Sequence, residues 1–569
     1  MIRIKHSCSH LLTMLIAVFA CGLLFSLPAA RADSQPPPSP TAESLRLGER
    51  IYREGILPSG EPMQAVVKGD IAVPGTSFSC VSCHLRSGLG SFEGGVITPP
   101  TNGSKLFQPF GMAYKRVVVE EKYYPPHQKR PAYNDESLAT ALRGGVNPSG
   151  QDMNPVMPRY QLKDDDMALL IAYLKTLSAE HSPGASDTTL SFATVITDDV
   201  RPDEYEAMLA PLEQYVRHKN NMIQLFKTQK RSERMAAVML ESSELMYKKM
   251  TLSRWFLKGS PDTWRNQLEE YNRKEPVFAL LGGISHGDWK PIHDFSEAHR
   301  IPSLFPQTRF PVVSDSDWYT LYFSKGYYQE GEGAARYLNT KAESIHDRKI
   351  VQLVRESREG AALSTGFDKT WHDLGHPAPT TITLKAGEPV TKEFLQQMLA
   401  HEQPAVVMLW DGPGTPATLD ILATLTPRPE TVIVSSGYLD SGIWIIPEHA
   451  RDFTYITWPY LLPQGEEKFK LNIDSFKSNM PSQHVNETGI RQTYITTQIL
   501  TQALMDLRGN YYRDNFFDVI GMMKDQNVPL YERLSFGPGQ RYASKGCFIV
   551  QLSKGIKPEL IRKSDWVIH

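Results

Sequence analysis

Apolar residues recur with two different periods along the chain. Leu45, Gly48 and Tyr52 share a helical face, and Leu170, Tyr173, Leu174 and Leu177 follow the i, i+3, i+4, i+7 spacing of an amphipathic helix. Asp164, Asp165 and Asp166 open that second helix, where carboxylates favour the dipole. The chain between these helices is punctuated by Gly and Pro and reads as loops. Beyond residue 190 the pattern changes. SFATVI, RWFLKG, PVFALLGG, KIVQLV, AVVMLW and TVIVSS are short apolar runs that read as strands, and most are separated by enough residues for a crossover helix. That alternation predicts parallel α/β sheets with ligand sites at the carboxyl ends of the strands.

Two compositional breaks divide the chain. DSQPPPSPTAES has nothing to bury and predicts a tether over residues 33–42, and SAEHSPGASDTT, from Ser178 to Thr189, contains a second linker at 183–189. Before the tether, Arg3 and Lys5, the apolar run Leu11 to Leu27, and Ala30-Arg31-Ala32 read as an export signal over residues 1–32, cleaved after Ala32. The competing readings are an uncleaved anchor and a lipoprotein signal at Cys21. Phe19 is too bulky for the latter. Loss of residues 1–32 moves the formal charge from −2 to −5, and nucleic acid is not an expected partner. No transmembrane segment is expected after cleavage. With 41% hydrophobic and 22% charged residues, the 569-residue chain has the composition of ordinary globular domains.

Cleavage leaves Cys80, Cys83 and Cys547, too few for a disulfide framework. Cys547, in GCFIV, reads as a buried small hydrophobe. The other two form CVSCH, Cys80 to His84. Two thiols two residues apart can each add to a vinyl group of one porphyrin, and the adjacent imidazole then lies beneath the iron. A redox dithiol would open a helix in a βαβ setting, and a zinc site needs a second ligand pair; neither context is present. The motif predicts one covalent haem c (heme c) with His84 as iron ligand. Candidates for a second ligand are Met63, Met112, Met153, Met157 and His127. Met157 leads, because Pro158 biases it away from helix in the polar loop NPVMPRY.

The pattern LGERIY, CVSCH, MPRY, DDD and LLIAYLKTL resembles the class I cytochrome c domain, with residues 43–182 as its extent. The resemblance implies an all-α domain whose first and last helices cross at Gly48 and Tyr173. The stretch ILPSGEPMQAVVKGDIAVPGT, between the first helix and the haem motif, departs from that family. Residues 190–569 resemble the type I periplasmic solute-binding proteins, the group that includes branched-chain amino acid receptors of ABC transporters. The resembling stretches are PVFALLGGISHGDWKPIHDFSEAHRIPSLFPQT, SKGYYQEGEGAARYL and KIVQLVRESREGAALSTGF. This implies a two-lobed α/β type I domain, so that the whole is multidomain. It also implies a ligand cleft at Ser285 and Thr308 on one lobe and Asp411, Tyr438 and Asp440 on the other. Arg355, Glu356, Ser357, Arg358 and Glu359 form a polar run where many members carry a tyrosine.

Other features have plainer readings. Ser285 could cap the helix that follows it, and Trp289, Trp318 and Tyr319 read as packing residues. His286, His293 and His299 lack zinc spacing, and no hydrolase, Walker or Rossmann fingerprint appears. An electron carrier or binding protein is therefore expected rather than an enzyme. The expectation is a periplasmic monohaem cytochrome that exchanges electrons with a redox partner protein, with an attached domain for a small-molecule solute or partner. The alternative is a solute receptor of an ABC-type uptake or sensing system, such as amino acid transport, with the haem as redox sensor.

Overall fold

The computed structural model describes residues 40–111, 129–228, 248–341, 349–478 and 486–568. The expected export signal, most of the tether, Met112 and His127 lie outside the described residues. The described parts of Met1–Ser79 and Asp135–Leu174 form one compact unit, and those of Cys80–Asn134 and Lys175–His569 form another.

In the first unit the helix Ala42–Glu54 is capped by Thr41, whose hydroxyl accepts from Ser44 N at 3.1 Å. It buries Gly48, Ile51 and Tyr52. The opposing helix Asp164–Thr176 buries Met167, Leu170, Ile171, Tyr173 and Leu174. The two meet at Gly48, where a side chain would overlap the Leu169 carbonyl oxygen and stand 2.7 Å from Tyr173 Cβ. The Tyr52 and Tyr173 rings lie 5.6 Å apart beside this crossing. The unit is not all-α, which corrects the expectation from the cytochrome resemblance. Gln64–Val67 and Ile71–Pro74 pair antiparallel, and Arg159–Tyr160 adds a third strand. The cause is local to the inserted stretch. Gly69 and Asp70 both take positive φ, 87° and 58°, and turn the β-branched runs QAVV and IAVP back on each other.

In the second unit all six apolar runs read as strands are strands, organised in two sheets. One is wholly parallel, in the order Thr320–Leu321, Ser303–Leu304, Ala279–Leu281, Thr189–Thr197, Lys249–Leu257. The other runs Thr380–Leu384, Ile350–Arg355, Val406–Trp410, Thr431–Ser435, Thr454–Trp458 in parallel. Gly546–Leu552 and Leu560–Arg562 extend it antiparallel. The central strands are apolar on both faces, as helix-covered parallel sheets require. The helices Glu487–Leu507 and Arg513–Gly521 bury Ile495, Ile499, Leu500, Phe516 and Phe517 in one core with Phe192, Phe278 and Phe305 of the first sheet. Cys547 is fully buried in a core of the second sheet.

Candidate functional sites

The motif CVSCH folds as one helical turn. His84 N donates to Cys80 O at 2.9 Å, and the turn ends at Leu85, whose φ is 63°. Positions 80, 83 and 84 are i, i+3 and i+4, and therefore share a helical face. Cys80, Cys83 and Cys547 are free thiols, Cys80 and Cys547 buried and Cys83 exposed. Burial pushes the Cys80 thiol up to about 12 and also raises Cys83.

His84 is buried, with 4% of its surface exposed, and its Nδ1 lies 2.9 Å from the Pro99 carbonyl oxygen. A carbonyl only accepts, so Nδ1 carries the proton and Nε2 carries the lone pair. Nε2 is buried without a hydrogen-bond partner among the described residues. Burial lowers the His84 pKa to about 4, against the Pro99 hydrogen bond, so the ring is neutral near pH 7. An imidazole oriented through one nitrogen with a free lone pair on the other is the donor an iron ion needs. The residues fit a haem c, with Cys80 and Cys83 to hold it and His84 to ligate it.

Of the other ligand candidates, Met63 is fully buried in its unit's core. Met153 N donates to Gly145 O at 2.7 Å. Met157 lies in a turn, its N donating to Asn154 O at 2.9 Å, just before the strand Arg159–Tyr160.

The expected solute residues stand at the carboxyl ends of strands. Ser285 is buried and its Oγ accepts from Gly287 N at 3.1 Å. Thr308 Oγ1 accepts from Phe310 N at 3.1 Å. Asp411 is 2% exposed and pairs with Arg355, whose Nε is 2.7 Å away, while Thr418 Oγ1 donates to its other oxygen at 3.0 Å. Its carboxylate is thus engaged within the protein. Tyr438 Oη and Ser357 Oγ lie 2.7 Å apart. Asp440 is exposed and opens the short turn Asp440–Ile445.

Arg309, which no pattern in the sequence marks, draws these loops together. Its Nη1 donates to Tyr327 Oη at 3.1 Å and to Gly437 O at 3.0 Å, so one guanidinium links the loop after Ser303–Leu304 to the loop after Thr431–Ser435. Burial opposes its charge, but Tyr327, Tyr460 and Asp440 around it raise its pKa overall. Beneath it, the buried Glu330 carboxylate accepts from Thr457 Oγ1 at 2.6 Å and Gly437 N at 3.1 Å. Burial raises the Glu330 pKa against these bonds.

The histidines after the glycine turn are engaged singly. His286 pairs with Glu204, His293 with Asp317 and Tyr322, and His299 with Glu269. Among the described residues no group of three or more His, Cys, Asp or Glu is placed to hold a metal ion. No helix of the described residues is long and apolar enough to cross a membrane.

These two constellations coincide with two families. The periplasmic binding protein family model matches residues 257–555, more than half of the chain, and the cytochrome c model matches residues 76–178. The chain belongs to the periplasmic binding protein family and carries a cytochrome c domain. Solved structures similar to it include substrate-binding proteins of ABC transporters and a type 1 periplasmic binding protein. An ABC transporter substrate-binding protein from Sphaerobacter thermophilus is 12% identical over 67% of this chain and 98% of its own, with a TM-score of 0.47. A solute-binding protein from Rhodopseudomonas palustris BisB5, in complex with 3,4-dihydroxy benzoic acid, is 14% identical over 67% and 98%, with a TM-score of 0.46. A periplasmic binding protein type 1 from Bordetella pertussis Tohama I is 15% identical over 66% and 100%, with a TM-score of 0.45. A comparison with curated proteins finds no match. A cytochrome c domain implies covalent haem and electron transfer, and a binding-protein domain implies a small-molecule ligand. Both families are typically exported.

Proposed function

We propose that the protein is an exported, periplasmic monohaem cytochrome c that passes single electrons to and from a partner protein, with a two-lobed domain that binds a small anionic solute. The domain limits proposed are 43–182 for the cytochrome and 190–569 for the binding domain, after a signal ending at Ala32. The observation that carries the electron-transfer reading is His84, neutral, oriented by Pro99 and with a buried unpartnered Nε2, beside two free thiols one helical turn long. When bound, haem supplies a one-electron iron centre. Cys80 and Cys83 hold it through thioethers, His84 Nε2 ligates it, and Met157 is the proposed second ligand, which closes the iron to substrate. Purified holoprotein should give a low-spin six-coordinate spectrum, and Met157→Ala should lose that spectrum and lower the midpoint potential. An unaltered spectrum and potential in the variant would refute the ligand assignment.

The solute reading rests on Arg309, a permanent cation whose hydrogen-bond partners in the cleft are a phenol and a carbonyl. A carboxylate-bearing solute would meet that cation, with Ser285, Thr308, Tyr438 and Asp440 around it and Asp411 acting through Arg355 and Thr418. The second reading, a receptor with the haem as redox sensor, is supported by the same bridge, because opening it would separate the two sheets' loops. A thermal-shift screen of small carboxylates against oxidised and reduced holoprotein decides between them. Redox-independent binding supports the first reading, and binding that changes with redox state supports the second. No carboxylate binding in either state would refute the solute proposal.

A further inference from the structure

The loop that follows the iron ligand does not end at the surface. Ser87 is fully buried and its N donates to Asp518 Oδ2 at 2.8 Å, while Arg86 N donates to Asp518 Oδ1 at 3.3 Å. One carboxylate thus holds two successive peptide N–H groups, two and three residues after His84. Asp518 belongs to the helix Arg513–Gly521, whose Phe516, Phe517 and Ile520 lie in the core of the first binding-domain sheet.

The Arg86 side chain reaches further into the same fabric. Its guanidinium lies 4.0 Å from the centre of the Trp318 ring, and its Nε is 3.8 Å from Asp514. Arg541 stacks on Trp318 as well, at 4.6 Å. Asp514 in turn accepts from Tyr319 Oη at 2.7 Å, and Glu297 accepts from Trp318 N and Tyr319 N at 2.8 and 2.6 Å. Two guanidinium groups, of Arg86 and Arg541, and two carboxylates, of Asp514 and Glu297, therefore surround the pair Trp318–Tyr319, which leads directly into the strand Thr320–Leu321. This is far more charge than a simple packing contact requires, and in a low-dielectric setting each member feels a change in any other strongly.

We propose that the helix Arg513–Gly521 is a redox-coupling joint, in which Asp518 holds the loop after His84 so that electron uptake at the haem and the packing of the binding domain are one linked process. The proposal rests on the haem reading above. With haem held at His84, transfer of one electron from the reduced partner protein would remove one positive charge near this loop. The carboxylate at Asp518 then has less to attract it, and the charged cluster behind it relaxes. Linkage makes the effect reciprocal: a change at Asp518 must alter the midpoint potential. Asp518 is a positioning residue here, acting on the iron through the peptide of Arg86 and Ser87.

Hydrogen–deuterium exchange of wild-type holoprotein, oxidised and then reduced with dithionite, tests this without any substitution. Peptides covering 85–90, 316–322 and 513–521 should differ in protection between the two states, and peptides in the strand Val406–Trp410 should not. Identical exchange in all three segments would overturn the proposal. As a second measurement, Asp518→Asn should raise the midpoint potential, since a negative charge that favours the oxidised form is lost, and Asp518→Glu should restore it towards wild type. A potential unmoved by Asp518→Asn in a folded variant would overturn it too. Covalent haem content, measured first by pyridine haemochrome, separates the two failures. A protein without haem c refutes the cytochrome reading, whereas a haem-loaded protein with unchanged exchange refutes only the joint.

Discussion

Gly48 offers a severe test of how the first unit is built, because two known effects oppose each other there. Within a helix, Gly→Ala favours folding by about 0.8–1.0 kcal/mol through propensity alone. At Gly48 the new Cβ would overlap the carbonyl oxygen of Leu169 and stand 2.7 Å from Tyr173 Cβ, where ordinary contact begins near 3.4 Å. A backbone carbonyl has no rotamer to give, so the helices Ala42–Glu54 and Asp164–Thr176 must move apart by at least about 0.7 Å, the shortfall at Tyr173. A gap of ~0.5–1 Å already forfeits a quarter to a half of each dispersion contact across it. Overpacking of this kind typically costs about 1–3 kcal/mol. Since the obstructing atom is fixed, the upper half of that range applies, and overpacking outweighs propensity.

Gly48→Ala should therefore destabilise the unit by about 1–2 kcal/mol net, a Tm loss of roughly 4–8 °C per kcal/mol in a unit this small. Gly144→Ala is the control. Gly144 closes the helix Asp135–Gly144 in the same unit and has nothing within 4 Å of where its Cβ would stand. That substitution should be neutral or slightly stabilising. Thermal unfolding by far-UV circular dichroism gives the two Tm values, and hydrogen exchange of peptides 42–54 and 164–174 shows where the loss is felt. If Gly48→Ala matches Gly144→Ala, the close crossing is wrong.

Two further outcomes are expected. Native holoprotein lacking residues 1–32 should present no thiol to a maleimide reagent, and denatured holoprotein one, because the proposed haem attachment takes up Cys80 and Cys83 while Cys547 is fully buried with its thiol pushed far up by burial; a second reactive thiol on denaturation would refute attachment at both cysteines. Burial lifts Asp518 from the ordinary 3.8 to about 6, against its bonds to Ser87 and Arg86. Between those values the native state holds a proton that the unfolded chain has lost, so this group makes the protein more stable as pH falls from 7 towards 4, by up to about 3 kcal/mol. Denaturant unfolding of wild type and Asp518→Asn across that window should show the wild type gaining relative to the variant on acidification; a difference independent of pH would refute the buried ionised carboxylate.

The features legible in the sequence are those whose cause is local. CVSCH declares its chemistry within five residues, and KIVQLV and AVVMLW are strands because a helix-covered parallel sheet needs apolar side chains on both faces. Thr380–Leu384, an edge strand whose burial is confined largely to Leu384, carries no such run and was not expected from TTITL. The antiparallel hairpin in the first unit is legible in principle from Val67-Lys68-Gly69-Asp70-Ile71, but the resemblance to the class I cytochrome c domain implies an all-α segment there. Arg309 shows the opposite limit. Its partners lie 18 and 128 residues away, so nothing beside it in the chain announces its role. The bond from Ser87 to Asp518 spans 431 residues and is invisible for the same reason.

Composition can mark a boundary without describing its stiffness, and the segment around residues 183–189 shows why. Pro183, Gly184 and Ser186 are the residues of a flexible linker, yet several polar groups beside them are engaged. Ser182 N donates to Tyr511 O at 3.0 Å, Arg513 N donates to Ser182 Oγ at 3.0 Å, and His181 packs against the rings of Tyr511 and Tyr512, each 5.7 Å away. Ser191 N donates to Gly184 O at 2.8 Å, which binds the segment to the first strand of the sheet. Residues 510–521 therefore grip the chain twice, once at this segment through Tyr511 and Arg513 and once at the haem loop through Asp514 and Asp518. A segment held at one point pivots about it, whereas two separated attachments to one short stretch of chain restrict that freedom. In the proposed joint, a charge change at the haem loop would therefore act on the packing around Trp318 and Phe517, which the same stretch of chain holds.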